Sequence, residues 1–229
     1  MGLALFDLDH TLLNGDSDHE WARFLMDEGI VDREASNRIN EQFYADYAAG
    51  TLDIHAFARF AFAPLAAHPI EMLKSWRARY LRERIEPMIT DAARALVKRH
   101  RDSGDTLVLI TATNSFVTRP IAELFAIEHL IATEPRRVDD RYVAEIEGIP
   151  AFREGKVARL DEWLSSRPAL AEAESWFYSD SHNDLPLLER VDHPVAVNPD
   201  DKLIAAANAR GWPILDLRAT AQPKLSANA

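Results

Sequence analysis

Asp7 and Asp9 stand two residues apart directly after the apolar run Leu3 to Phe6. Thr111 follows a second such run, Leu107 to Ile110, and Asp180 follows a third, Trp176 to Ser179. Asp184 lies four residues beyond Asp180, and Lys156 follows Gly155 where a helix is expected to begin. Clustered carboxylates repel one another unless a hard cation joins them, and oxygen ligands in near-octahedral geometry suit magnesium. A magnesium ion with a lysine and a hydroxyl makes a pocket for a phosphoryl dianion. A carboxylate in line with phosphorus attacks it and forms an aspartyl phosphate that water then hydrolyses. A second carboxylate two residues on protonates the leaving oxygen and later deprotonates the water.

The apolar runs read as buried strands, and ligands of open parallel sheets bind beyond the carboxyl ends of strands. Three strands, Leu3 to Phe6, Thr106 to Ile110 and Trp176 to Ser179, would thus deliver these groups to one crevice. From Asp16 to Ile85 the periodicity is helical. The stripes are Trp21, Phe24 and Leu25, then Ile39, Phe43 and Tyr47 closed by Gly50, then Leu73, Trp76 and Tyr80 closed by Pro87. Asp16, Ser17 or Asp18 caps the first of these helices. After Pro87 helices and strands alternate. A helix capped by Thr90 runs to Asp102, and another follows Asn114 or Ser115 with Pro120 inside it. Leu130 to Thr133 reads as a strand, Val138 to Ile146 as a hairpin around Asp139-Asp140, and Gly155 to Leu164 as a helix. Asn183 to Val191 and Asp200 to Arg210 read as helices, and Pro194 to Val197 and Ile214 to Leu217 as strands. The pattern predicts an α/β chain with a doubly wound, mostly parallel Rossmann-like sheet. The polar tail after Ala219 is expected to fray.

The chain has 229 residues, no cysteine and a formal net charge of −11. The absence of cysteine removes a disulfide framework, a thiolate zinc site and a cysteine nucleophile. The acidic balance argues against nucleic acid as a partner. The most apolar stretch, Phe57 to Ala67, is short and broken by Arg59 and Pro64, so no membrane span is expected. The first residues lack the basic flank of a signal peptide, which makes the cytoplasm the expected location. His10, His19 and His182 have no zinc-site spacing, and Gly155-Lys156 lacks the first glycine and the Ser/Thr of a P-loop.

Phe6-Asp7-Leu8-Asp9-His10-Thr11-Leu12, then Ile110-Thr111, then Lys156, then Ser179-Asp180-Ser181-His182-Asn183-Asp184 resemble the four motifs of the haloacid dehalogenase superfamily of phosphohydrolases. The helical insertion between the first two motifs resembles the C1-type cap of its phosphoserine-phosphatase-like branch (subfamily IB). The resemblance implies a core domain of residues 1–13 and 88–229 with an all-helical cap of residues 14–87. It implies Asp7 as nucleophile and Asp9 as general acid and base. Mg2+ would be held by Asp7, Asp180 and the Asp9 carbonyl, and Asp184 with Asn183 would support it and Lys156. Thr111 and Ala112 would meet the phosphoryl oxygens, and Lys156 would neutralise them. His10 stands where the family most often has glycine, and Ser179 where the last motif often has glycine.

Substrate choice is expected from the cap. Asp16 lies nine residues past Asp7, where the branch places an acid against a substrate amine, and Asp18 follows it. Asp16 and Asp18 therefore point to a small phosphorylated metabolite with a cationic alcohol, histidinol phosphate or phosphoserine first. A phosphotransferase or phosphomutase on the same fold and a non-catalytic phospho-acceptor module are the alternatives. Dehalogenation is disfavoured, because a halide leaving group needs no acid at Asp9. A cap is expected to open and close, since water must be excluded for transfer and readmitted for hydrolysis. Oligomeric state is not legible.

Overall fold

The structure is a computed structural model that describes residues 2–218 and the strand residues 224–225. The chain begins with β1 (Leu3–Phe6) and then makes a run of helices: α1 (Ser17–Asp27), α2 (Arg33–Ala49), α3 (Ile54–Ala61), α4 (Ala63–Ala67) and α5 (Ile70–Tyr80). A π-helical turn (Leu81–Ile85) and a 3-10 turn (Glu86–Met88) close that block. There follow α6 (Asp91–Asp102), β2 (Thr106–Asn114), α7 (Ser115–Leu124), β3 (His129–Val138), β4 (Arg141–Glu147), α8 (Glu154–Leu164), α9 (Pro168–Ala171) and β5 (Ser175–Ser179). A 3-10 turn (His182–Asp184), α10 (Leu185–Leu188), β6 (His193–Val197), α11 (Asp201–Arg210), β7 (Ile214–Asp216) and β8 (Lys224–Leu225) complete it.

The described strands form one eight-stranded sheet in the order β4-β3-β2-β1-β5-β6-β7-β8. The inner strands β3, β2, β1, β5, β6 and β7 run parallel, and β4 and β8 are antiparallel edges. Alternate residues of the central strands enter opposite cores, as a period of two requires. Ala4, Phe6, Leu107 and Leu109 join α6, α7 and the helical block, whereas Leu3, Leu5, Val108 and Ile110 join α8, α10 and α11. Both faces are covered, which is why these strands read as unbroken apolar runs. The predicted doubly wound sheet is thus present.

The helical block hangs from a narrow neck. Leu13 and Ile89 make an antiparallel bridge, and the Asn14 amide donates to the Met88 carbonyl at 2.8 Å. The block shares its core with the sheet: Trp21, Phe24, Leu73 and Tyr80 belong to the same buried cluster as Phe6 and Leu109. α2 differs, having no buried residue along its length.

Local chemistry accounts for most helix limits. Asp16 is the cap of α1 and accepts from the His19 amide at 2.8 Å; Thr90 and Asn114 cap α6 and α7 in the same way. Gly50 ends α2 at φ 81°, a left-handed turn that glycine enters without steric cost. Pro120 sits within α7, where it cannot donate to the Phe116 carbonyl four residues back. The Arg77 guanidinium of α5 donates to that carbonyl instead and lies 4.4 Å over the Phe116 ring.

Three expectations need correction. β2 does not stop at Ile110 but runs to Asn114, and its register against β3 shifts between Thr111 and Asn114. Thr111 thus lies within the strand, and Ala112 and Thr113 form the irregular stretch, a distortion common beside functional sites. The helix expected over Asn183 to Val191 is the 3-10 turn plus the short α10, with Pro186 in its first turn. β3 is longer than Leu130 to Thr133, because its outer half pairs with β4 around the Asp139-Asp140 turn. The expected frayed tail after Ala219 lies outside the described residues except for β8. No described helix is long and apolar enough to cross a membrane.

Candidate active site

β1, β2 and β5 are neighbours, so the sequence order that alternates around β1 opens a crevice at their carboxyl ends. Asp7 follows β1 directly and its amide donates to the Tyr178 carbonyl of β5 at 2.9 Å. Lys156, at the start of α8, is 3% exposed and donates to Asp7 Oδ1 at 2.8 Å and to Asp184 Oδ2 at 2.7 Å. Ser179 Oγ donates to the same Asp184 oxygen at 2.6 Å. Asp9 is half-buried and takes the Ser17 amide at 2.6 Å and the Thr113 hydroxyl at 2.8 Å. Thr11 Oγ1 donates to Asp180 Oδ1 at 3.3 Å. Thr111 is buried, and its hydroxyl accepts from the Thr113 amide at 3.2 Å.

The tight start of α8 fixes Lys156. A Cβ on Gly155 would lie 2.0 Å from the Pro150 carbonyl oxygen, so only glycine lets the chain pass here. Arg153, just before, has φ 53° and ψ −124°, a strained backbone for a side-chain-bearing residue. Its guanidinium donates to Asn183 Oδ1 at 3.0 Å and to the Gly50 carbonyl at the end of α2. His10 also has a left-handed backbone, φ 54°, which explains why glycine suits that position.

These groups line one cavity of about 400 Å³. Asp7, Asp9, Thr111, Ala112, Lys156, Asp180, Asn183 and Asp184 stand in its walls together with Asp16 and Asp18. Aromatic side chains of the helical block, Phe43, Tyr44, Tyr47 and Phe57, line it as well. Asp16 also caps α1, so a single side chain serves the helix and faces the cavity. The Asn183 amide is taken up by Arg153, by the Tyr47 carbonyl at 3.4 Å and by Ser181 Oγ at 3.4 Å.

The crevice is electrostatically loaded. Burial pushes the Asp7 carboxyl up to about 7; Lys156 opposes that shift, while the charges of Asp184 and Asp9 add to it. Burial also takes Asp9 to about 7, with Asp16 adding and the Ser17 and Thr113 donors opposing. Burial and the charges of Asp7 and Asp184 hold Asp180 well above the carboxylate range. Burial works against the Lys156 ammonium, but Asp184 and Asp7 outweigh it and keep its pKa above the ordinary lysine value. Asp18 is pushed up to about 8 by burial and by Asp16 and Asp9. One lysine thus faces several carboxylates that resist ionising together, which is the environment a further cation relieves. Among the described residues no three carboxylate or imidazole groups stand close enough to hold an ion by side chains alone.

Four contributors escaped the sequence reading: Thr11, Thr113, Tyr47 and Arg153. Thr113 is two residues past Thr111, the spacing that keeps strand residues on one side, and a longer β2 would have exposed it. Thr11 lies inside the quoted first motif. Arg153 and Tyr47 act through contacts across the chain and leave no local signal; Tyr47 Oη lies 3.0 Å from Ser181 Oγ.

The family model described as haloacid dehalogenase-like hydrolase matches residues 4–189. A histidinol-phosphatase of Neisseria meningitidis serogroup C (strain 8013) is 43% identical over 219 residues, covering 94% of this chain and 99% of the relative. Among solved structures, a protein of unknown function from Bordetella pertussis Tohama I superposes with a TM-score of 0.87 at 47% identity, covering 94% of this chain and 98% of that one. A substrate-bound phosphoserine phosphatase has the same fold, with a TM-score of 0.67 at 18% identity over 96% of this chain and 93% of its own.

Proposed function

The chain belongs to the haloacid dehalogenase-like hydrolases and is a phosphatase, and from that premise we propose that it hydrolyses the phosphomonoester of a small amino alcohol, histidinol phosphate first, through an aspartyl phosphate on Asp7. The observation that carries this reading is one cavity whose walls hold Asp7 and Lys156 together with Asp16, Asp18 and aromatic side chains. Such a cavity suits a phosphate at one end and a cationic, partly planar alcohol at the other.

In the proposed reaction an Asp7 oxygen bonds to phosphorus as the ester P–O bond breaks. Asp9, protonated near neutrality by its burial, gives its proton to the leaving alkoxide. Water then attacks phosphorus, Asp9 takes its proton, and the bond to Asp7 breaks to return the carboxylate and release phosphate. Lys156 holds Asp7 in position and offsets phosphoryl charge, and Thr111 and the Ala112 backbone face the phosphoryl oxygens. Asp7, Asp180 and the Asp9 carbonyl would hold Mg2+ as hard oxygen donors, and Asp184 would support the site by orienting Lys156. The ion would supply positive charge against the phosphoryl oxygens. Residues 14–87 act as the cap over the core formed by 1–13 and 88–229, and the cytoplasm is the proposed location.

Histidinol phosphate is favoured over phosphoserine by charge. Lys156 and Lys202 are the only lysine or arginine side chains among the described lining residues, and Lys202 is spent on the Ala48 and Ala49 carbonyls. A substrate carboxylate would face Asp16 and Asp18 without a lysine or arginine of its own. The decisive assay is phosphate release from histidinol phosphate, phosphoserine and an aryl phosphate, with and without Mg2+, for wild type and Asp7→Asn. Magnesium-dependent release that Asp7→Asn abolishes is expected; activity retained in Asp7→Asn removes the nucleophile assignment. Phosphate passed to an added alcohol instead of water would favour a phosphotransferase.

A further inference from the structure

Both carboxyl oxygens of Asp9 are occupied, and by donors of different kinds. Oδ1 takes the Ser17 amide at 2.6 Å, and Oδ2 takes the Thr113 hydroxyl at 2.8 Å. Ser17 is the first residue of α1, so its amide has no partner inside the helix and is available to Asp9. Ser17 is buried, and its carbonyl is pinned by the Tyr80 hydroxyl at 2.7 Å. Thr113 reaches Asp9 because β2 is irregular there. Thr111 stands opposite Ala132 of β3 and Asn114 opposite Thr133, so Ala112 and Thr113 are in excess over the partner strand. Such a bulge re-aims a side chain. Thr113 is buried and lines the cavity of Asp7 and Lys156, and its amide donates to Thr111 Oγ1 at 3.2 Å.

Building on the proposed role of Asp9 as acid and base, we propose that Thr113 is a positioning residue that selects which Asp9 oxygen carries the proton and aims it at the ester oxygen. A backbone N–H only donates, so Oδ1 has to remain an acceptor throughout. A hydroxyl both donates and accepts, so Oδ2 is the oxygen that can be bare or protonated without losing its partner. The transferable proton therefore resides on Oδ2. It passes to the ester oxygen as that oxygen takes the electron pair of the breaking P–O bond. A proton from the attacking water later returns to Oδ2. Between the two transfers the Thr113 hydroxyl donates to the bare oxygen. A carboxyl held at one oxygen turns about that contact, whereas one held at both keeps its plane, and proton transfer depends on such fixed geometry. Thr113 acts here through Asp9 alone.

The test compares phenyl phosphate with para-nitrophenyl phosphate, two substrates of similar shape, on magnesium-loaded protein. Phenolate is the poorer leaving group of the two and depends more on a proton from the acid. The measured quantity is kcat/KM, which covers the steps up to departure of the phenol and not the hydrolysis common to both substrates. In Asp9→Asn the ratio of kcat/KM for phenyl phosphate to that for para-nitrophenyl phosphate is expected to fall. In Thr113→Val it is expected to fall by about tenfold, the worth of one hydrogen bond. Thr113→Ser keeps the hydroxyl and is expected to restore the wild-type ratio. The ratio does not depend on how much of a preparation is folded, and Thr113→Ala, which also lacks the hydroxyl, is expected to match the valine variant. An equal loss on both substrates in Thr113→Val and Thr113→Ala, with the Asp9→Asn ratio lowered, would overturn the role of Thr113 and leave Asp9 as the acid. An unchanged ratio in Asp9→Asn would overturn the acid assignment, and this inference with it.

Discussion

At the scale of single residues, the placement of Lys156 depends on an atom that is absent. Gly155 passes so close to the Pro150 carbonyl that any Cβ must move the first turn of α8, and Lys156 with it. Gly155→Ala is expected to destabilise by about 1–3 kcal/mol, as overpacking does, and to lower kcat by up to about 10²-fold through misplacement of the ammonium. Thermal melts and steady-state kinetics on the same preparation check it; an unchanged kcat would show that Lys156 is not held through this turn. The charged groups of the site were legible because strand-end carboxylates and an isolated lysine have few other common purposes in that order. Their partners were not. Thr113 was hidden by a strand end placed four residues early, and Arg153 is recognisable only from a backbone angle and two contacts with distant residues.

At the scale of elements, α2 is the anomaly. Its apolar stripe of Ile39, Phe43 and Tyr47 reads as core, yet none of its residues is buried. Phe43 meets Phe57 and Phe60 of α3 and Tyr47 meets Phe152, and the final turn is tied down where Arg153 takes the Gly50 carbonyl, Lys202 the Ala48 and Ala49 carbonyls and Asn183 the Tyr47 carbonyl. Cations at a helix carboxyl end are favoured by its dipole, so the clasp is attractive but weak. Helices α1 and α5 share the main core and have no such freedom. The combined variant Arg153→Met with Lys202→Ala is expected to speed amide exchange in α2 about tenfold, with β1 and β2 unaffected. Uniform protection across all three elements would contradict this. The link between α5 and α7 is of another kind. Arg77→Leu leaves the Phe116 carbonyl without the donor that replaces the one lost at Pro120, and a loss of about 1.5–3 kcal/mol is expected in denaturant unfolding. Periodicity shows where such helices start and stop, because caps such as Asp16, Thr90 and Gly50 are local. It does not show which face meets the sheet and which faces a cavity.

At the scale of the whole molecule, the crowded carboxylates tie stability to pH and, on the proposed reading, to Mg2+. Asp7 and Asp9 have ordinary values near 3.8 and are raised to about 7, so the folded chain binds more protons than the unfolded one between about pH 4 and 7. Stability from these groups therefore falls as pH rises through that window. His100, lowered by burial although its Asp105 partner opposes the shift, acts in the opposite sense as pH falls below the imidazole range. The magnesium-dependent part of Tm isolates the first effect. Added Mg2+ is expected to raise Tm more at pH 8 than at pH 5; a pH-independent rise would show that the ion binds elsewhere. The doubly wound sheet was legible from alternating strand and helix signals, while the edge pairing of β4 and β8 rests on distant partners. The neck at Leu13 and Ile89 carries a different kind of consequence. Chain closure there depends only logarithmically on what lies between, about 0.6 kcal/mol for each doubling of length. A recombination event that exchanged everything between those two residues would leave β1 paired with β2 and β5, provided the newcomer brought its own apolar face for Phe6 and Leu109. On the proposed reading, choice of alcohol and handling of phosphate would then be inherited separately, one on each side of that neck.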